Sequence, residues 1–239
     1  MENQMIFERY ELKYRITRAQ QQELLACMQG YMAPDCYGRS TVRSIYYDTD
    51  SFRLIRDSLD KPVYKEKLRV RSYGRVTGDG TVFVELKKKY RDVVYKRRIE
   101  LPERTAMQWL AGRAECPEQS QIAREIEYFR SFYPTLRPAV LITCSREAFA
   151  GVRDEGFRLT FDDDIRFRTH ALSLRADVWG EPLLGPDEVL MELKTNGGLP
   201  LWMTGFLTEH HITKTTFSKY GSAYSLLRGD RDHGGKRYA

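Results

Sequence analysis

Lysine and arginine recur at two-residue intervals along several stretches of this chain. Lys65, Lys67, Arg69 and Arg71 alternate with other residues, as do Glu85, Lys87 and Lys89, and then Lys96, Arg98 and Glu100. Arg9, Glu11, Lys13 and Arg15 repeat the pattern near the start. Arg158, Thr160, Asp162, Asp164, Arg166 and Arg168 repeat it later, as do Glu188, Glu192 and Lys194. Side chains two apart leave an extended strand on the same side, so each stretch presents one charged face. Ammonium and guanidinium groups suit phosphate oxygens, the guanidinium through paired hydrogen bonds. Phosphoryl transfer is mostly positioning and charge neutralisation, which such faces can supply. Carboxylates among the cations suit Mg²⁺ or Mn²⁺, which share oxygen ligands with substrate phosphates. Glu192 is the first candidate metal ligand, with Glu11 and Glu85 next; each could instead pair with a neighbouring arginine.

Other chemistries find little support. The sequence has no G-x-x-x-x-G-K-S/T loop and no G-x-G-x-x-G, so phosphate would be held by side chains. His170, His210, His211 and His233 lack a zinc-ligand spacing. The mixture of basic and aromatic residues could bind RNA, but no RNA-recognition motif is present, and no nucleic-acid partner is expected.

Strands must position these faces. Alternation predicts them at Ile6–Ile16, Val42–Asp48, Tyr64–Tyr73, Val82–Tyr90, Val93–Leu101, Ala139–Phe149, Phe157–Arg168 and Glu188–Lys194. Gly74, Gly78 and Gly80 mark a hairpin connection. Thr17 and Gln20 have capping-box spacing ahead of a short helix. Residues 102–133 read as two helices divided by Gly112 and Pro117, the second carrying Ile122, Ile126, Phe129 and Tyr133 on one face. Further short helices are expected after Pro200 and over Ser218–Leu227. Helices come in blocks and do not alternate with strands, which predicts an antiparallel α+β architecture. One domain over residues 1–228 is expected, with a mobile polar tail over 229–239.

The 239 residues carry 39 Lys and Arg against 33 Asp and Glu, a net charge of +6 that favours an anionic partner. No apolar stretch reaches the ~20 residues of a membrane span, and no signal peptide is visible. The four cysteines are scattered without a C-x-x-C pair, which fits a reducing, cytoplasmic setting. Two arrangements of the charged faces remain open. One is a plain sheet with a solvated face. The other closes the sheet into a barrel with the charges inward around a polyanion. Like charges side by side destabilise a sheet by up to about 1 kcal/mol a pair, which favours the second. Glu66, Lys88, Arg97 and Asp163 interrupt the pattern by falling on the opposite faces.

Six segments together resemble a known family: Arg9-Tyr-Glu-Leu-Lys13-Tyr14, Ser44-Ile-Tyr-Tyr-Asp48, Lys67-Leu-Arg-Val-Arg71, Phe83-Val-Glu-Leu-Lys87, Met191-Glu-Leu-Lys194 and Phe217-Ser-Lys-Tyr220. They resemble the polyphosphate polymerase domain of the vacuolar transporter chaperone (VTC) family, within the CYTH-like triphosphate tunnel metalloenzymes. The resemblance implies an eight-stranded antiparallel β-barrel with flanking helices, ATP as phosphoryl donor, a divalent metal, and synthesis of inorganic polyphosphate. It implies phosphate contacts from Lys13, Arg69, Arg71, Lys87, Lys96, Arg146, and Arg166 or Arg168. Ser218 and Lys219 are implied as further contacts and Glu192 as metal ligand. Lys67, Lys89, Arg98 and Lys194 join the substrate-binding set from their strand faces. Arg9 stands first in the superfamily's E-x-E-x-K signature, which argues against a glutamate-rich two-metal site. Thr216 stands where related chains carry lysine, with Lys214 nearby. The expected activity is therefore metal-dependent polyphosphate polymerisation from ATP. Triphosphate hydrolysis and non-catalytic polyphosphate binding are the alternatives. With no membrane segment of its own, the chain could work beside a membrane-anchored partner subunit.

Overall fold

The computed structural model describes residues 10–91, 93–154 and 156–229. The expected strand start at residues 6–9, Arg9 included, and the expected tail beyond Gly229 lie outside the described residues. The strands are β1 (Tyr10–Thr17), β2 (Met32–Pro34), β3 (Ser40–Asp48), β4 (Tyr64–Tyr73), β5 (Thr81–Tyr90), β6 (Val93–Pro102), β7 (Arg137–Gly151), β8 (Arg158–Arg168), β9 (Glu181–Pro182), β10 (Glu188–Thr195) and β11 (Lys214–Thr215). The helices are α1 (Arg18–Cys27), α2 (Arg53–Leu59), α3 (Glu103–Leu110), α4 (Gln121–Phe132), α5 (Leu201–Glu209) and α6 (Lys219–Leu227). All eight anticipated strands are present as the long ones. Three short strands and α2 carry too few residues for a periodic signal.

The elements form two compact units. Among the described residues, the first takes 10–40, Cys144–Ile165 and Leu184–Phe217; the second takes Thr41–Thr143, Arg166–Leu183 and 218–229. In the first, β1 pairs with β10 and β11, and β10 with β8, all antiparallel. In the second, β3, β4, β5 and β6 form a consecutive antiparallel meander.

Each unit has its own core, formed by the apolar side of its alternating strands. In the second, Ile45 and Tyr47, Leu68 and Val70, Val82, Val84 and Leu86, and Ile99 and Leu101 are buried with Trp109 of α3 and Ile126 and Phe129 of α4. In the first, Tyr14 and Ile16, Leu159 and Phe161, and Val189, Met191 and Leu193 are buried with Leu24 of α1 and Met203 and Phe206 of α5. Each such side chain contributes roughly 1.5–3 kcal/mol when withdrawn from water. The charged sides of the same strands are thereby fixed in the opposite direction.

Three of the four residues that interrupted the charge pattern have partners on those opposite faces. Glu66 accepts from the Tyr64 hydroxyl at 2.6 Å and the Tyr133 hydroxyl at 2.9 Å. Arg97 pairs with Glu125 of α4 at 3.3 Å. Asp163 is buried and accepts from Arg39 at 2.7 Å and Arg18 at 3.0 Å. The capping box of α1 forms as its sequence predicts, with Thr17 and Gln20 exchanging hydrogen bonds at 3.0 and 3.1 Å.

Asp48 ends β3 and organises the start of α2. The residue before that helix, Phe52, has a left-handed backbone (φ 55°) and makes no side-chain cap. The free amides of the first turn turn instead to residues upstream. Asp48 accepts from the amides of Leu54 at 2.9 Å and Ile55 at 3.0 Å, and Thr49 Oγ1 accepts from that of Arg53 at 3.0 Å. The Asp48 carboxylate also accepts from the Thr49 amide and the Tyr220 hydroxyl, both at 2.8 Å, and is fully buried. Asp48→Ala strands these donors and is expected to lower the free energy of unfolding by about 3 kcal/mol, read by urea denaturation. A loss below about 0.5 kcal/mol would show that α2 is held otherwise.

Candidate active site

The second unit gathers cations around one carboxylate. In the register, Arg69 of β4 lies opposite Glu85 of β5, which lies opposite Arg98 of β6. One step along, Lys67, Lys87 and Lys96 stand in a row across the same strands, followed by Lys65 opposite Lys89. Antiparallel partners share a face, so the rows lie side by side. Glu85 is 1% exposed and sits at the centre: Arg69 Nε is 2.7 Å away, Lys96 Nζ 2.6 Å and Arg71 Nε 4.0 Å. Burial pushes its carboxyl up, but Arg69, Arg71 and Lys96 outweigh that and bring it down to about 2. Burial and repulsion by Lys89, Lys87 and Lys61 hold the Lys65 ammonium below its ordinary value.

Around this centre, Arg71 Nε donates to Ser44 Oγ at 3.1 Å and Arg69 Nη1 to the Tyr46 hydroxyl at 3.1 Å. The Arg98 guanidinium lies 3.4 Å from the centroid of the Phe83 ring. Ser218 caps α6 by accepting from the Gly221 amide at 3.2 Å, and Lys219 opens the helix.

The first unit holds a second cluster with more acid in it. Lys13 of β1 lies opposite Glu192 of β10, which lies opposite Thr160 of β8. Lys13 Nζ is 3.2 Å from Glu11 and 3.5 Å from Glu192. Arg146 of β7 grips the fully buried Asp162 with two hydrogen bonds of 2.5 Å, and lies 3.7 Å from Glu192. Glu11 lies opposite Lys194.

The candidate metal ligands thus differ. Glu85 is ringed by Arg69, Arg71 and Lys96, which already offset its charge and weaken its attraction for a dication. Glu192 is buried with its two cations at looser distances. The hydroxyl oxygen of Thr160 across from it is buried without a hydrogen-bond partner. Such an orphaned oxygen beside a carboxylate suits a hydrated dication, since Mg²⁺ takes one or two carboxylates and fills its shell with water and phosphate. Among the described residues no three His, Cys, Asp or Glu side chains gather into a ready-made metal cage.

Arg166 and Arg168 are placed unlike their neighbours. Asp164 has a left-handed backbone (φ 44°) that interrupts the extended run of β8. Arg168, beyond it, is buried and donates to the carbonyls of Ala171, Ser173, Asp177 and Trp179, with its guanidinium 4.4 Å from the Trp179 ring centroid. Arg166 donates to the Gly180 carbonyl at 3.3 Å. Four backbone oxygens already occupy the Arg168 fork, so it staples the 171–180 loop and does not fit the expected phosphate role. Alternation alone places it on the Asp162 face because nothing in the residue types announces the left-handed Asp164. Asp162, Tyr46 and Asp48 are further site residues that sequence reasoning missed. Asp162 was visible as part of a polar face, but its pairing with Arg146 is a long-range contact.

The antiparallel fold with flanking helices is shared by solved structures of low sequence identity. A candidate adenylate cyclase of Bacillus halodurans shares it at a TM-score of 0.53 and 15% identity, over 87% of this chain and 92% of that one. The candidate adenylyl cyclase HpAC1 of Hippeastrum, described as having a dominant triphosphatase activity, shares it at 0.56 and 16%, over 93% and 97%. No curated protein matches by sequence. The VTC domain matches residues 8–228, and the chain belongs to that family.

The Glu85 cluster carries a pH signature. Its carboxyl is near 2 when folded and near 4.3 when unfolded, so it contributes stability above pH ~4.3 that is lost as pH falls through 2. Glu85→Gln is expected to destabilise the protein at pH 7 by about 3 kcal/mol and to flatten its loss of stability between pH 5 and pH 2 relative to wild type. Unchanged acid unfolding in this variant would mean that Glu85 does not bind the cations together.

Proposed function

We propose that this chain is a metal-dependent enzyme that transfers the γ-phosphoryl group of ATP to a growing inorganic polyphosphate chain. Membership of the VTC domain family supports the class of substrate. The observation that carries the reading is the row Lys67–Lys87–Lys96 beside Arg69 and Arg71, with a single buried glutamate among them. Such a cation-rich face suits the oxygens of a polyphosphate.

Within the second unit Lys67, Arg69, Arg71, Lys87 and Lys96 would hold phosphoryl oxygens; within the first, Lys13 and Arg146 are proposed for the same kind of contact. Lys89, Arg98, Ser218 and Lys219 of the second unit, and Lys194 of the first, are proposed as further phosphate contacts within their own units. A divalent cation held by Glu192, with Thr160 and Glu11 beside it, would neutralise phosphate charge. A terminal phosphate oxygen of the acceptor attacks the γ-phosphorus, the bond from that phosphorus to the bridging oxygen breaks, and ADP leaves with the electron pair. No protein nucleophile is required. The cations offset the repulsion between two anionic reactants as charge shifts to the leaving oxygen. Arg69 and Arg71 are pre-aimed by Glu85, Tyr46 and Ser44, so little reorganisation is needed.

Hydrolysis is the second reading, favoured by the triphosphatase activity described for HpAC1. The same face would then offer the γ-phosphorus to water. Among the described residues no helix is long and apolar enough to cross a membrane.

Incubation with ATP and Mn²⁺, with and without a short polyphosphate primer, separates the two on a polyacrylamide gel stained for polyphosphate. A ladder with matching ADP is expected. Orthophosphate without a ladder would replace the polymerase with a hydrolase, and tripolyphosphate bound without turnover would leave a binding module. Lys87→Ala is expected to lower kcat/KM by about 100-fold or more with its melting temperature unchanged. Full activity in that variant would remove the row from the site.

A further inference from the structure

Tyr46 lies on β3 directly opposite Arg69 and on the same face as Ser44. It is buried, and its phenolic oxygen accepts from Arg69 Nη1 at 3.1 Å. Its ring stacks on Tyr220 of α6 with centroids 4.9 Å apart and planes 28° apart. Tyr220 in turn donates its hydroxyl to the buried Asp48 carboxylate. The ring is therefore clamped from one side while its oxygen is held inside the cation cluster.

An oxygen that accepts from a guanidinium still carries its own proton. Lys67, Arg69 and Arg71 are the charged groups of β4 that act on this phenol. Lysine and arginine are donors only, and none can accept that proton. The nearby carboxylates are engaged: Glu85 of β5 with Arg69 and with Lys96 of β6, and Asp48 with Tyr220 and three backbone amides. A hydroxyl donor set among cations calls for an acceptor brought from outside.

We propose that Tyr46 is a further substrate-binding residue, whose hydroxyl donates to the phosphate oxygens held by Arg69 and Arg71. The proposal rests on the triphosphate reading above. Its consequence is a dependence on the phenolic proton, because a phenolate would replace a donor with a negative charge. Burial pushes the Tyr46 phenol up, but Arg69, Arg71 and Lys67 outweigh that and bring it down to about 8. Loss of the proton therefore begins just above neutral pH. Tyr220, whose own hydroxyl is driven upward by burial and by Asp48, stays protonated through that range.

The test is calorimetric titration of the full chain with tripolyphosphate between pH 6.5 and 9.5, for wild type and Tyr46→Phe. The substitution keeps the ring and its stack and removes only the hydroxyl. The dissociation constant of the variant is expected to be about tenfold weaker at pH 7, the worth of one hydrogen bond to a charged acceptor. The gap should close by pH 9 as wild type loses its donor, with thermal unfolding unchanged. Equal affinities at pH 7, or a gap that stays constant across the range, would overturn the role of Tyr46. Failure of wild type itself to bind tripolyphosphate would overturn the triphosphate reading and not this residue alone.

Discussion

The cationic face of the second unit depends on one buried carboxylate. Three antiparallel strands bring Lys67, Lys87 and Lys96 into a single row, with Arg69, Arg71 and Lys65 alongside. Cross-strand neighbours of like charge repel, and repulsion strengthens as water is withdrawn. Glu85 sits where its two oxygens reach cations of β4 and β6 at once, at 2.7 and 2.6 Å. It allows strands that carry many cations on one face to pair. What remains is a cation-rich face, and its composition supports a phosphate-rich substrate.

The first unit solves a different problem with the same residue types. Arg146 and Asp162 neutralise each other through two hydrogen bonds, and Lys13 is shared between Glu11 and Glu192. Acid and base are nearly balanced here, and Thr160 leaves an oxygen unused beside Glu192. A balanced cluster with spare oxygen suits a hydrated dication, whereas the Glu85 cluster suits phosphate directly. Taken separately, the cluster of the second unit suits anion binding and that of the first suits a metal bound beside a carboxylate. Asp48 connects stability to this function within the second unit. It holds α2 through backbone amides and, through Tyr220, sets the ring on which Tyr46 rests.

Much of this was legible in the sequence because it rests on a period of two. The strand faces at Lys65–Arg71, Glu85–Lys89 and Lys96–Glu100 follow from alternation, and the apolar residues between them form the observed cores. Capping at Thr17 and the helix break between Leu110 and Gln121 are local signals and were equally readable. What was not legible depends on contacts distant in the chain or on backbone geometry. Glu85 looks like a metal ligand until its three cations are located. Arg168 looks like a phosphate contact until Asp164 interrupts β8 and the 171–180 carbonyls close around its guanidinium. The two compact units escape sequence reading because each is assembled from three separated segments, with no linker between them. Asp48 and Tyr46 belonged to the quoted Ser44–Asp48 segment, yet their roles appear only once Tyr220, from the far end of the chain, is in place.

The central claim is that the cationic face of the folded chain binds a polyphosphate. Thermal unfolding with and without tripolyphosphate, at low and at high salt, addresses it most directly. At a hundredfold excess over the dissociation constant, a ligand that binds only the folded state adds about 2.7 kcal/mol. For a chain of this size that is a rise of about 5–10 °C. The rise is predicted at low salt, with a clear reduction at high salt as the charges are screened. An unfolding temperature that tripolyphosphate leaves unmoved at low salt would contradict the claim.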